Sequence, residues 1–200
     1  MRLYYFPIAP NPTKVRIYLA EKDIEIEQVL VNLVKGEQKS RESLARNPFG
    51  SLPVLELDDG THLTESLAII ELFEELYPDP PMIGTDPFER AQVRRLERIA
   101  DLGVLVPVAR IIHATRSPLG LPPVPEIAES ARRGLPKALE VLDDAIGDHP
   151  FLAGERPTIA DCTLFAAFGF ARFGEVAIDP AYRNLARWSA NFGERPSANL

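Results

Sequence analysis

Two patterns of hydrophobic spacing meet at Tyr77-Pro78-Asp79-Pro80-Pro81, and this break constrains the fold more than any other feature of the chain. Its prolines fix φ and remove backbone donors, so neither a helix nor a strand ladder runs through it. Before the break, strand-like runs are mixed with helical spacing. After it, apolar residues recur at helical spacing almost to the end. The sequence therefore reads as two domains: a mixed α/β domain over 1–77 and an all-helical domain over 87–200, joined by a linker at 78–86.

Within the first domain, Arg2 to Phe6 reads as a short apolar strand ended by Pro7. Thr13 to Lys22 has helical spacing at Val15, Tyr18 and Leu19, and the helix begins near Asn11. Glu25 to Asn32, with Val29, Leu30 and Val31, predicts a buried strand. Lys35 to Arg46 predicts one irregular helix, followed by the loop Asn47-Pro48-Phe49-Gly50. Pro53 to Leu57 and Thr61 to Leu63 flank Asp58-Asp59-Gly60 as a hairpin with Asp-Gly chemistry of the two-residue kind. Glu65 to Tyr77 predicts an amphipathic helix with Leu67, Ile70, Phe73 and Leu76 on one face. The order is βαβ-α-ββ-α.

In the second domain, one long helix is expected from Pro87 to Ala114, kinked at Pro107. A loop with four prolines follows from Ser117 to Pro125, then a helix from Glu126 to Ile146. Thr158-Ile159-Ala160-Asp161 has capping-box spacing before the apolar helix Cys162 to Arg172, and Pro180 to Phe192 is the last helix.

Composition closes off several function classes. The net charge of −7 and the lack of a dense basic run argue against nucleic acid as a partner. The most apolar run, Val104 to Ile112, is interrupted by Pro107 and Arg110 and is far short of the roughly 18 residues a membrane span needs. Arg2 is followed by too short an apolar run for a secretory leader. A single cysteine, Cys162, forms no internal disulfide, and His62, His113 and His149 have no metal-ligand spacing. The expectation is a soluble cytoplasmic protein without a metal.

Six blocks in order carry a family resemblance across essentially the whole chain. They are Leu3-Tyr4-Tyr5-Phe6-Pro7, Pro10-Asn11-Pro12-Thr13-Lys14-Val15-Arg16, Asn47-Pro48-Phe49-Gly50-Ser51-Leu52-Pro53-Val54-Leu55, Leu63-Thr64-Glu65-Ser66-Leu67-Ala68-Ile69, Phe151-Leu152-Ala153-Gly154 and Thr158-Ile159-Ala160-Asp161. Together they resemble the glutathione transferase superfamily. The resemblance implies a thioredoxin-like N-terminal domain that binds glutathione and an all-helical C-terminal domain. It also implies an electrophile site walled by Ile8, Ala9 and Pro10 on one side and Val106 and Arg110 on the other, and a homodimer.

The resemblance places a cis proline at Leu52-Pro53, with the Leu52 backbone meeting the cysteinyl moiety of glutathione; by spacing alone, Pro53 equally starts a strand. Glu65 would pair with the γ-glutamyl amine, and Ser66, at a helix N-terminus, would take the α-carboxylate; the same residues also suit an ordinary helix cap. Lys39 or Gln38 would meet the glycine carboxylate, or Lys39 is simply solvated. Arg90, Arg94 and Arg98 share one helix face and would line a dimer interface or a solvated surface.

One position departs from the family. Where serine-type relatives place a hydroxyl against the sulfur and cysteine-type relatives a thiol, this chain has Ala9. No cysteine lies from Ala9 to Pro12, so mixed-disulfide chemistry by an enzyme thiol is excluded there. The substitutes are the helix N-terminus, Asn11 and, after it, Thr13. The Ala-Pro-Asn-Pro pattern resembles an atypical fungal and bacterial group that uses a histidine and a small hydroxyl residue to hold a water. Here those would be His113 with Thr115 or Ser117; a packing role for His113 fits the sequence as well. The expected function is transfer of the glutathione thiolate to a soft electrophile, with peroxidase or thiol-reductase variants on the same site. A non-catalytic carrier of glutathione or apolar ligands is the alternative. Maleylacetoacetate isomerisation is disfavoured, because its serine- and cysteine-rich motif is absent.

Overall fold

Alternation along β1 (Arg2–Tyr5) sends Leu3 to one face of a sheet and Tyr4 to the other, and both are buried. In the computed structural model, which describes residues 1–200, β1 is central. It pairs in parallel with β2 (Glu27–Leu30) and antiparallel with β3 (Val54–Glu56), which in turn pairs antiparallel with β4 (His62–Thr64). The order β2-β1-β3-β4, with helices α1 (Pro10–Glu21), α2 (Arg41–Arg46) and α3 (Ser66–Leu76), is the thioredoxin-like arrangement the resemblance implied. The chain divides into two compact units, Met1–Pro80 and Pro81–Leu200.

On one side of the core, Leu3 and Leu55 are buried together with Val15, Tyr18 and Leu19 of α1 and Ile69, Ile70 and Phe73 of α3. On the other, Tyr4 and Val54 pack with Val31, Val29 and Leu52. At the end of the unit a buried Glu74 carboxylate accepts from Tyr18 Oη (2.7 Å) and Lys22 Nζ (2.9 Å). Lys22 Nζ also donates to Pro80 O (2.8 Å).

Several expectations for this unit need correction. The strand expected to be buried is an edge strand: Glu27, Gln28 and Leu30 are exposed, because β2 has a partner on one side only. The single helix expected over 35–46 is a 3-10 turn (Glu37–Lys39) and then α2. Ser40 separates them with an extended backbone, and its Oγ caps α2 by accepting from Ser43 N (3.1 Å). The hairpin loop has three residues, with Gly60 at φ 82 and the bonds Gly60 N to Leu57 O and Leu57 N to Thr61 O, so it is a turn followed by a bulge. On α3 the buried stripe runs through Ser66, Ile69, Ile70, Phe73 and Glu74; Leu76 falls off it and is exposed.

The second unit is all-helical: α4 (Pro87–Ala100), α5 (Val106–Arg116), α6 (Pro125–Ile146), α7 (Ile159–Phe173) and α8 (Arg183–Gly193). The long helix expected from Pro87 is present, but a π turn (Asp101–Leu105) joins α4 to α5. Pro107 lacks the N–H that would continue the α-helical ladder, and the wider turn, closed by Val106 N to Asp101 O, precedes it. Helix α7 is buried on nearly every face from Ile159 to Ala171, as a helix at the centre of a bundle must be. At its start the fully buried Asp161 accepts from Leu152 N, Thr158 N, Thr158 Oγ1 and Trp188 Nε1, each at 2.9 Å. Of the three arginines on the face of α4, Arg90 donates to Gly84 O (3.1 Å), and Arg98 reaches Glu97 (3.3 Å) and Asp101 (3.0 Å). No helix is long and apolar enough to cross a membrane.

Candidate functional site

The first turn of α1 is unusually poor in free donors. Ala9 precedes it without a side-chain cap, and Pro10 and Pro12 carry no N–H. Thr13 N is bonded to Ala9 O (3.1 Å). Asn11 N–H is therefore the one backbone donor this turn can offer to a ligand, where the positive end of the helix dipole lies. Thr13 drops out of the expected donor set: its hydroxyl proton is committed to the carbonyls of Ala9 (2.9 Å) and Pro7 (3.1 Å).

Asn11 is joined to the start of α3. Ser66 Oγ donates to Asn11 Oδ1 at 3.3 Å, which brings two helix N-termini together and turns the two N–H donors of the Asn11 amide away from Ser66. The residue before Ser66 is strained: Glu65 has φ 66 and ψ 114, a conformation that costs a non-glycine residue about 1–3 kcal/mol. Such strain gathers at ligand clamps, and here it sets an exposed carboxylate directly before the free N–H groups of the α3 N-terminus.

Leu52-Pro53 is a cis peptide, as the resemblance implied. Leu52 is half-buried, and neither of its backbone polar groups is bonded within the protein. Asn47, the first residue of the loop Asn47-Pro48-Phe49-Gly50, organises this stretch. Asn47, buried, donates from Nδ2 to Ser51 O (2.8 Å) and Ser51 Oγ (3.0 Å), while its Oδ1 accepts from Phe49 N (3.1 Å). An asparagine before a proline in a loop is the available clue, since its side chain mimics a turn. Gly50 sits at φ 61, where a Cβ would lie 3.2 Å from Gln38 O.

Gln38 and Leu52 border the same small cavity, together with Tyr4, Arg46, Gly50 and Ser51. Gln38 is buried, and its Oε1 has no donor within the protein. Lys39 does not border this cavity; it is exposed and makes no ion pair. Of the two residues expected to meet the glycine carboxylate, Gln38 is the one held beside Leu52.

The residues expected to receive the electrophile are divided between the units. Ile8 is exposed, and Ala9 and Pro10 are half-buried, at the start of α1; Val106 is half-buried and Arg110 exposed on α5. In the C-terminal unit, His113 Nδ1 lies 3.0 Å from Ser117 Oγ, which also accepts from Leu119 N (3.3 Å). Thr115 is excluded as the partner because its hydroxyl donates to Ile111 O (2.7 Å). Desolvation pushes the His113 pKa below the usual histidine value, so the ring is neutral at pH 7.

Comparison with known proteins places these features in context. A family model described as glutathione S-transferase, N-terminal domain, matches residues 3–81, and one described as glutathione S-transferase, C-terminal domain, matches residues 94–191. Glutathione S-transferase 2 of Saccharomyces cerevisiae is 35% identical over 98% of this chain and 87% of its own length. A maleylacetoacetate isomerase of Pseudomonas aeruginosa is 32% identical over 95% of this chain and 91% of its own. Among solved structures, Gtt2 of Saccharomyces cerevisiae superposes with a TM-score of 0.92 at 33% identity, covering 100% of this chain and 99% of that one. A glutathione S-transferase of Methylobacillus flagellatus with glutathione bound has a TM-score of 0.86 at 29% identity, covering 99% and 96%.

Proposed function

The chain belongs to the glutathione S-transferase superfamily, and on that premise we propose that it transfers the glutathione thiolate to a soft electrophile. The observation that carries the reading is the Ser66–Asn11 hydrogen bond, which joins the helix N-terminus that this reading gives to the glutathione carboxylate to the one it gives to the thiolate. Glutathione would lie extended, its cysteinyl backbone on Leu52, its γ-glutamyl carboxylate on Ser66 and the α3 N-terminus, its amine on Glu65 and its glycine end near Gln38, with Lys39 at the rim. Its thiol loses a proton and is held as thiolate by Asn11 N–H and Nδ2 and by the α1 dipole, in place of the hydroxyl that Ala9 lacks.

His113 serves in this reading as the proton acceptor, through a water, and Ser117 fixes its ring. Neutrality at pH 7 suits that role. The thiolate then attacks the electrophilic carbon, the C–S bond forming as a leaving anion departs; in this reading the electrophile meets Ile8, Ala9, Pro10, Val106 and Arg110. The same thiolate serves peroxide reduction or disulfide exchange. The enzyme works in the cytoplasm as a homodimer; Phe49, 88% exposed on a loop braced by Asn47, suits burial against a second copy.

The deciding measurement is the pKa of bound glutathione, followed by thiolate absorbance across pH. A depressed value that rises in Asn11→Ala supports the reading; an unshifted thiol in the wild-type protein overturns it. The second reading, a carrier that binds glutathione without ionising it, is favoured by Ala9 alone. Maleylacetoacetate belongs among the test substrates, because an isomerase relative spans nearly the whole chain.

A further inference from the structure

Between the end of α7 and α8, the C-terminal unit holds an open cleft of about 490 Å3, within the size range of small-molecule sites. Phe168, Ala171, Val176, Ile178, Leu185 and Ala186 make its walls apolar.

The turn at one end of the cleft is firmly fixed. Glu175 adopts φ 54, and a Cβ on Gly174 would clash with the Ile112 side chain. Val176 N bonds to Ala171 O at 2.8 Å, and Arg116 clamps the turn through Glu175 (2.8 Å) and Gly174 O (3.1 Å). A strained, over-determined turn beside a ready-made cavity is the setting in which binding sites occur.

The polar groups lining the cleft differ in how they are engaged. Arg172 is exposed and forms no ion pair; its guanidinium lies 5.6 Å from the Phe165 ring centroid, which steadies it by cation–π attraction. Asp179 is turned toward its own backbone, Oδ1 accepting from Ala181 N (2.8 Å). Tyr182 Oη donates to Pro136 O (3.2 Å). Arg172 is the one cation lining the cleft and Asp179 its one anion, so a bound carboxylate has to lie on the Arg172 side.

We propose that this cleft binds a small apolar monocarboxylate, its hydrocarbon against Phe168 and Leu185 and its carboxylate on Arg172. The net charge of −7 opposes general uptake of anions, so a preference for the acid over its neutral analogue has to come from this one cation.

The chain supplies its own reporter. Trp188 is its single tryptophan, buried, and packs edge-on against the cavity-lining Phe168 with ring centroids 5.7 Å apart. Decanoate, decanol and decyltrimethylammonium are titrated below their micelle-forming concentrations, with Trp188 emission as the readout. Decanoate is expected to give a saturable change and to bind about threefold to fivefold more tightly than decanol, the worth of a partly exposed ion pair. Arg172→Gln should bring acid and alcohol to parity, and Ala186→Phe, which fills the cleft, should abolish the response. Equal binding of acid and alcohol by the wild-type protein, tighter binding of the cation, an acid preference that survives Arg172→Gln, or no saturable change each overturns the proposal. Should Ala186→Phe fail to fold, the surface substitution Arg172→Gln decides alone.

Discussion

Ser66 Oγ and Asn11 Oδ1 are 3.3 Å apart, and this one hydrogen bond couples the residue assigned to the γ-glutamyl carboxylate to the residue assigned to the thiolate. Ser66→Ala should therefore do two things at once. It should weaken glutathione binding by loss of a charge-assisted bond, about tenfold, and it should release the Asn11 amide and raise the pKa of the bound thiol. Asn11→Ala should raise that pKa with little effect on affinity and lower kcat/KM by about a hundredfold, the cost of one missing anion donor. Because the two side chains touch, the double variant should lose less than the sum of the single losses. Strict additivity in the cycle would show that the bond carries no coupling.

The His113 pKa is lowered by desolvation, which fixes the sign of its pH effect on stability. A histidine that is harder to protonate when folded leaves the unfolded chain binding more protons between the lowered value and about 6.5. Its contribution is fully present above that pH and is lost as pH falls through the window. Urea unfolding at pH 7.5 and at pH 5.5, compared between wild type and His113→Asn, checks this. The wild-type protein should lose more stability on acidification than the variant; equal losses would place the titration elsewhere.

The cis Leu52-Pro53 bond, the helix opening at Ser66 and the cap at Asp161 were legible because each rests on a short run whose local chemistry has few alternatives. What escaped depends on neighbours brought in by the fold. The sequence of β2 does not say whether a second strand will cover it, so Leu30 read as buried although it lies on an edge. Likewise Thr13 and Thr115 read as available hydroxyls, and only the backbone geometry shows both spent on carbonyls one turn back. Gln38 and Lys39 are adjacent and equally polar; the 3-10 turn that buries one and exposes the other left no mark in composition. The π turn before Pro107 is a further case, since the proline announced a disturbance but not its form.

Asp161 is pushed toward higher pKa by complete burial, while four donors hold it as the acceptor they need. Asp161→Ala would strand the N–H groups of Leu152, Thr158 and Trp188 in the core, each at roughly 1–3 kcal/mol. A total loss of at least about 3 kcal/mol is expected, visible as a large drop in the denaturation midpoint followed by Trp188 emission. Asp161→Asn keeps one acceptor oxygen and should lose distinctly less. A loss below about 1 kcal/mol in the alanine variant would mean that the cap relaxes to water.

Asn47 touches nothing assigned to chemistry, yet it ties together the loop that delivers Leu52. Its side chain donates twice to Ser51 and accepts from Phe49, bridging the residues on either side of Gly50. Asn47→Ala leaves those groups without partners and should cost about 1–2 kcal/mol of stability in the N-terminal unit. The larger consequence is functional. With Leu52 no longer held in register, glutathione should bind about tenfold more weakly by calorimetry, while kcat at saturating glutathione stays within about twofold, because Asn11 and the start of α1 are untouched. Asn47→Asp supplies acceptors but lacks both amide donors, so it should recover the Phe49 contact and not the bond to the Ser51 carbonyl, giving an intermediate affinity. A variant that loses kcat instead of affinity would mean that the loop positions the thiol rather than the tripeptide backbone.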